Sequence, residues 1–392
     1  MFTRLLLCGV LFSSQVASLS TVVFSEEYAD RFGSKCLDGS PPAIYQSSAG
    51  DGKRFVLFLE GGGWCADVTN VSTIANCFGR ASGGGGSSAG MRNGTQQNIG
   101  GLMSEDPAVN PHFHNATLVF LHYCDGSSYS SYRPDPIPKP AGLERSLAEL
   151  TAKYGAGWND YEGRAAGVAP PQIWMRGRAN LQAAIAYMQE ELGMGSGAEL
   201  IVSGGSAGAT GVYLGLDYIR TWLEPSNVKV AGAPDAGFFL DLPVSGGADT
   251  WYRDTFIGAA GVWNGSDLAS PACMAANGAT EVWKCYLPEY SMAYIQTPML
   301  VSNSAIDMWG LGNIIRLGCI PTQNNQSFNG FHPCNPQQWG TLQAWWTAFY
   351  ARITPLLAAS PLSRSAFIAS CFVHGAWLKL AANVFFVFFF FS

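Results

Sequence analysis

Ser206 stands in the pentad Gly204-Gly205-Ser206-Ala207-Gly208, where the apolar run Leu200-Ile201-Val202 gives way to a helix-patterned segment, Ala209 to Trp222. A G-x-S-x-G at a strand-to-helix junction has the pattern of a nucleophile elbow. The turn lifts the serine hydroxyl out of the sheet and aims the following backbone N–H groups at one point. Serine alone is a poor nucleophile. An imidazole must take its proton and a carboxylate must hold that imidazole in the right tautomer, so the histidines and acids decide whether the pentad is an active site or only a tight turn of small residues.

The chain has five histidines. His112 and His114 form an H-x-H pair, but no acid or cysteine follows at ligand spacing, so neither a metal nor another cofactor is expected. His122 follows the apolar run Thr117 to Leu121 and precedes the nucleophile, which suits a structural hydrogen bond. His332, in Gly330-Phe331-His332-Pro333, is a second candidate base. His374 is preferred, because it follows the apolar segment Ala366 to Ala369 near the C-terminus and completes the order Ser, Asp, His. Asp235 and Asp307 both follow apolar runs downstream of Ser206. Asp307 is preferred as the acid because its run comes later, and Asp235, before Ala-Gly, reads as turn chemistry. After the run Phe55 to Leu59 comes Glu60-Gly61-Gly62-Gly63. Its N–H groups at Gly62 and Gly63, with that of Ala207, would form an oxyanion hole.

The elements that must position these groups are short continuous apolar runs at residues 55–59, 117–121, 200–202, 228–231 and 298–302. An amphipathic helix, Arg178 to Leu192, precedes the elbow strand. Buried strands alternating with helices predict an α/β, hydrolase-like, mainly parallel sheet flanked by helices, with functional loops at the strands' carboxyl ends. Residues 79–101, rich in glycine, read as a loop, either a flexible rim to the site or plain surface. Residues 134–140 carry four prolines and read as an extended connector.

Composition bounds the class. The chain has 392 residues, 13% charged and 13% aromatic, with net charge −6. Such a charge argues against a nucleic-acid partner. Residues 1–18 read as a secretory signal peptide, too short in apolar core to span a bilayer. Residues 25–378 read as one catalytic domain and 379–392 as an atypical Phe-rich tail, either a buried last strand or a faulty chain end, with no stable membrane span. Without the leader nine cysteines remain. Export makes disulfides the default, with Cys65–Cys77, Cys273–Cys285 and Cys319–Cys334 as local staples and an odd thiol left over. Sequons at Asn70, Asn93, Asn115, Asn264 and Asn325 suit a secreted glycoprotein.

Six segments taken together carry a family resemblance: residues 58–65 around the glycine triplet, Tyr123-Cys124-Asp125-Gly126-Ser127-Ser128, the elbow, Asp235-Ala236-Gly237-Phe238-Phe239, Asn303 to Asp307, and Ser370 to His374. The chain resembles the pectin acetylesterase family, which includes the Wnt-deacylating carboxylesterase Notum. That resemblance implies Ser206 as nucleophile, Asp307 as acid, His374 as base and Gly62, Gly63 and Ala207 as oxyanion donors. Gly205 and Gly375 stand where plant members carry cysteines, consistent with loss of one disulfide near the site. The resemblance implies a secreted, monomeric carboxylic ester hydrolase removing acetyl groups from a pectin-like cell-wall polysaccharide. Two alternatives remain: a fatty-acyl deacylase, and a non-catalytic carbohydrate-binding protein using Trp64, Trp158, Trp263 or Trp309 as sugar platforms. Arg80, Arg92 and Arg133 are candidate cations for an acidic polymer.

Overall fold

In the computed structural model the described residues are 17–48, 50–154, 167–320, 334–359 and 364–375. Each apolar run of the sequence becomes a buried strand. In chain order the strands are β1 (Ala17–Val23), β2 (Ala43–Gln46), β3 (Arg54–Leu59), β4 (Gln96–Ile99), β5 (Thr117–Leu121), β6 (Ile137–Pro138), β7 (Gln172–Ile173), β8 (Glu199–Gly205), β9 (Lys229–Asp235), β10 (Met299–Ser304) and β11 (Arg364–Ala369). Nine of them form one sheet in the order β11-β10-β9-β8-β3-β5-β2-β1-β4, while β6 and β7 make a separate two-stranded ribbon.

Strands β11, β10, β9, β8, β3 and β5 run parallel. They are apolar on both faces because helices cover both faces of such a sheet. Phe55, Val56, Leu57 and Leu59 of β3 and Leu200 and Val202 of β8 are fully or nearly fully buried. The other flank is antiparallel, with β2 on β5 and β1 between β2 and β4. Register brings the site together. Leu59 pairs with Gly204, Gly205 with Asp235, and Ser304 with Ala369, so the segments that follow β3, β8, β9, β10 and β11 all leave the same edge. The elbow helix is Ala207–Leu223 and the preceding amphipathic helix Gly177–Glu190.

All three expected staples are present, and Cys36–Cys124 adds a fourth disulfide across 88 residues. The expected odd thiol is not found. Cys371 is disulfide-bonded as well and no described cysteine is free. The glycine-rich stretch 79–101 is not merely loop. It holds the end of the helix Asn70–Ala81, a buried 3-10 turn at Gly84–Gly86 and strand β4. Asn70, Asn93, Asn115 and Asn264 are exposed. Asn325, His332, Trp158 and residues 379–392 lie outside the described residues, as do the first 16 residues of the expected leader. No described helix is long and apolar enough to cross a membrane.

Candidate active site

Ser206 takes φ 56° and ψ −121°, the strained conformation of an elbow. It is held from both sides: its N–H donates to Asp235 O at 2.9 Å, and Thr210 N–H donates to its carbonyl at 3.1 Å. The motif glycine Gly208 has no room for a side chain, since a Cβ there would stand 2.0 Å from Leu59 O. This contact seats the helix N-terminus on the end of β3. The same crowding brings the glycine triplet to the nucleophile. A Cβ on Gly61 would lie 2.3 Å from Gly205 O and 3.1 Å from Ser206 Cβ.

His374 and Asp307 meet as the sequence order predicts. His374 Nδ1 donates to Asp307 Oδ2 at 2.8 Å, the tautomer being fixed by the carboxylate, while Asp307 Oδ1 accepts Gly310 N–H at 2.8 Å. Asp307 is buried, so both of its oxygens are committed. Ser206, His374, Gly61, Gly62 and Gly63 line one cavity of about 310 Å³, together with Phe58, Glu60, Phe120, Gly205, Asp235 and Gly375. Gly205 and Gly375, the positions of the two missing cysteines, thus border the same space. Asp235 braces the elbow through its carbonyl, which accepts the Ser206 N–H at 2.9 Å. It ends β9, is buried, and accepts Ser302 Oγ–H at 2.8 Å.

Beneath the triplet lies a network that the sequence reading did not assign. Arg80 is 1% exposed. Its Nε donates to Gly85 O at 2.6 Å and its Nη1 to Gly62 O at 2.8 Å. It is therefore no groove cation, because burial takes it away from solvent. Tyr123 Oη donates to Gly63 O at 2.9 Å and accepts Ser128 N–H at 2.8 Å. Burial pushes the Tyr123 hydroxyl far above the usual phenol range, so it remains a donor. Ser128 Oγ donates to Ala207 O at 2.6 Å and accepts Trp64 Nε1–H at 2.7 Å. Buried Asp125 accepts N–H groups of Ser127 and Tyr129 and the Ser127 hydroxyl. Burial raises its carboxyl, opposed by those Ser127 bonds and by the Arg80 charge. The signal available in the sequence was a polar run, Asp125 to Ser128, beside a cysteine and the apolar β5. His122 is structural: Nδ1 faces Glu60 Oε2 at 2.8 Å and Nε2 faces Ser87 O at 3.2 Å.

A cluster of aromatic rings packs against His374. Trp64 packs against Phe256 at 5.2 Å, Phe239 and Trp309 at 5.6 Å and Tyr252 at 6.3 Å. Phe239 and Trp309 in turn lie 5.9 and 6.2 Å from the His374 ring. Trp263 is fully buried, its Nε1 on Cys65 O, and so cannot be a sugar platform. Arg133 donates to the carbonyls of Gly261 and Val262. His112 and His114 lie on the segment before β5, with His114 Nδ1 against Asn110 O. A second cavity of about 720 Å³ shares Glu60 and Phe120 with the first and is lined further by Tyr45, Thr21, Gln97 and Arg92, among others.

The sequence profile of the pectinacetylesterase family matches residues 15–141 and 154–383. Pectin acetylesterase 11 of Arabidopsis thaliana is 27% identical over 351 residues, covering 87% of this chain and 76% of that protein. Pectin acetylesterase 5 of the same plant is 30% identical over 297 residues, 74% of this chain and 57% of the relative. The palmitoleoyl-protein carboxylesterase Notum of Drosophila melanogaster is 26% identical over 352 residues, 88% of this chain and 43% of the relative. A solved structure of the Wnt deacylase Notum from Drosophila has the same fold, with TM-score 0.68 and 24% identity over 92% of this chain and 87% of that one. A family match running through elbow, glycine triplet and both ends of the sheet settles the assignment: the chain belongs to the pectinacetylesterase family and is a carboxylic ester hydrolase.

Proposed function

We propose that the protein is a secreted serine esterase that removes O-acetyl groups from a pectin-like polysaccharide. The observation carrying this reading is the single cavity on which Ser206, His374 and the glycine triplet open, with Asp307 behind the histidine. Ser206 Oγ attacks the acetyl carbonyl and its proton passes to His374 Nε2. The carbonyl π-electron pair moves to oxygen, where the N–H groups of Gly62, Gly63 and Ala207 receive the negative charge. The tetrahedral species collapses, the sugar C–OH leaves with the proton from His374, and acetyl-Ser206 remains. Water then attacks, again giving its proton to His374, and acetate departs as Ser206 Oγ recovers a proton. Asp307 holds the ring and stabilises the imidazolium. No metal or other cofactor enters these steps.

The modest cavity of about 310 Å³, backed at His374 by the packed rings of Phe239 and Trp309, supports a short acyl group. The adjoining cavity of about 720 Å³, with hydroxyl and amide side chains and Arg92, offers space for the sugar backbone. Disulfides and exposed sequons suit an extracellular address. The test is acetate release from acetylated pectin, beside hydrolysis of p-nitrophenyl acetate and a long-chain p-nitrophenyl ester, by the native protein and Ser206→Ala. Acetate release that vanishes in the variant supports the reading. Preference for the long chain would replace acetyl removal by fatty-acyl removal, and ester turnover indifferent to Ser206 would remove the mechanism.

A further inference from the structure

We propose that Arg80 is a positioning residue of the esterase reaction, holding and polarising the Gly62–Gly63 peptide so that the Gly63 N–H becomes a stronger donor to the tetrahedral oxyanion. This rests on the reading of Ser206 as nucleophile and of the glycine triplet as the oxyanion cradle.

A buried guanidinium is expensive to desolvate unless its N–H groups find acceptors. Arg80, 1% exposed, directs two of its donors at backbone carbonyls, Gly85 O at 2.6 Å and Gly62 O at 2.8 Å. The second acceptor matters for chemistry. The carbonyl of Gly62 and the N–H of Gly63 belong to one resonance unit, so a cation on the oxygen draws density from the nitrogen and makes its hydrogen a better donor. In a water-poor interior such polarisation is stronger than in solution. Tyr123 treats the next peptide in the same way, but with a neutral hydroxyl, through Gly63 O at 2.9 Å. Arg80 also lies over the Tyr123 ring at 4.7 Å, which joins the two supports into one block.

Conformation gives a second reason. Gly62 and Gly63 have φ of 141° and 65°. A loop in that region keeps its N–H groups converged only when something outside it fixes the peptide planes. The guanidinium does so at close range, since a Cβ on Gly62 would stand 3.4 Å from Arg80 Nη2. Arg80 is carried by the helix Asn70–Ala81, which the Cys65–Cys77 disulfide ties to the residue after Trp64. Cation, helix and triplet therefore move as one piece.

Arg80→Lys and Arg80→Met test this, each compared with the native protein on p-nitrophenyl acetate and for inhibition by methylboronic acid, which forms a tetrahedral anion on a serine oxygen. Loss of one whole oxyanion donor lowers kcat about 10²–10³-fold, and weakening a donor should have a smaller effect. The expected result for Arg80→Lys, which keeps charge but loses the two-carbonyl grip, is a kcat about 10-fold lower, KM within about twofold, and boronate Ki raised by a factor close to the loss in kcat. Arg80→Met should lose more than Arg80→Lys in both, about 30-fold, still short of the loss of a whole donor. The pH–rate profile should keep its native shape at a lower plateau, because the triad is untouched. Should the Met variant fail to fold, the Lys variant decides. A folded Lys variant with native kcat and native boronate affinity overturns the proposal, as does a loss that appears in KM alone. Turnover surviving in Ser206→Ala would instead overturn the reading beneath it.

Discussion

The two flanks of the catalytic cavity are built from opposite materials. On one side the carbonyls of Gly62 and Gly63 are held by Arg80 and Tyr123, and that of Ala207 by Ser128, each through a hydrogen bond of stated geometry. On the other, five aromatic rings meet at centroid distances of 4.9 to 6.3 Å and touch His374 through Phe239 and Trp309. The polar flank is directional and answers to where charge develops. The aromatic flank is nearly non-directional and answers to volume. The contrast assigns rate to one side and acyl selectivity to the other.

Removing the nucleophile should have the largest effect. Ser206→Ala is expected to lower kcat by at least about four orders of magnitude on every ester, measured as acetate release and as p-nitrophenol release. If long and short esters fell by different factors, rate and selectivity would not be separable. Next comes a paired test of the two buried acids that end adjacent strands. Asp307→Asn should lower kcat by about 10⁴-fold through the wrong histidine tautomer. Asp235→Asn, whose carboxylate accepts the Ser302 hydroxyl, should lower it about 10-fold or less. Equal losses would mean that Asp235 also orients the base.

Opening the aromatic flank should leave chemistry and move selectivity. Trp309→Ala is expected to raise the ratio of kcat/KM for p-nitrophenyl octanoate over acetate about 10-fold, since each newly buried methylene contributes roughly 0.8 kcal/mol. An unchanged ratio would remove that flank's role. The smallest effect should come from a buried group that lines neither cavity. Glu289 is pushed up to about 7 by burial, opposed by Arg352, whose Nε lies 2.6 Å from Glu289 Oε2. Its carboxyl thus holds a proton more tightly when folded than when unfolded. Stability from this group is full below the unfolded value of 4.5 and is lost as pH rises through about 7. Tm should therefore fall by a few degrees between pH 5 and 7.5, with less change in Glu289→Gln, while relative activity on short and long esters stays fixed.

Legibility follows the same physics. Strands β3, β5, β8, β9 and β10 were readable because both faces are buried, which writes them as short apolar runs. Strand β4 is short, and Gln96–Ile99 carries no apolar run at all; pairing with Ala17–Ser20 is what makes it a strand. Ser206, His374 and Asp307 could be proposed from the sequence because triad order is a one-dimensional property, and the fold brings His374 onto Asp307. Arg80 was misread as a surface cation because its burial depends on Gly62 and Gly85, which only the folded chain brings round it. Trp263 was misread for the same reason. The choice between Asp235 and Asp307 rested on order along the chain, whereas the geometry distinguishes them by partner.

The backbone of Ser206 has a consequence for how such a protein ages. At φ 56° and ψ −121° a side chain is tolerated at a strain of order 1–3 kcal/mol, whereas glycine adopts that conformation without it. The residue proposed to perform the attack is thus held in a strained conformation, and Ser206→Gly should melt higher than the native protein while hydrolysing nothing. Selection for turnover is what keeps serine there. In a lineage that stopped using the esterase, drift toward the more stable chain would erase the nucleophile early, leaving fold, disulfides and glycine triplet in place around an inert turn.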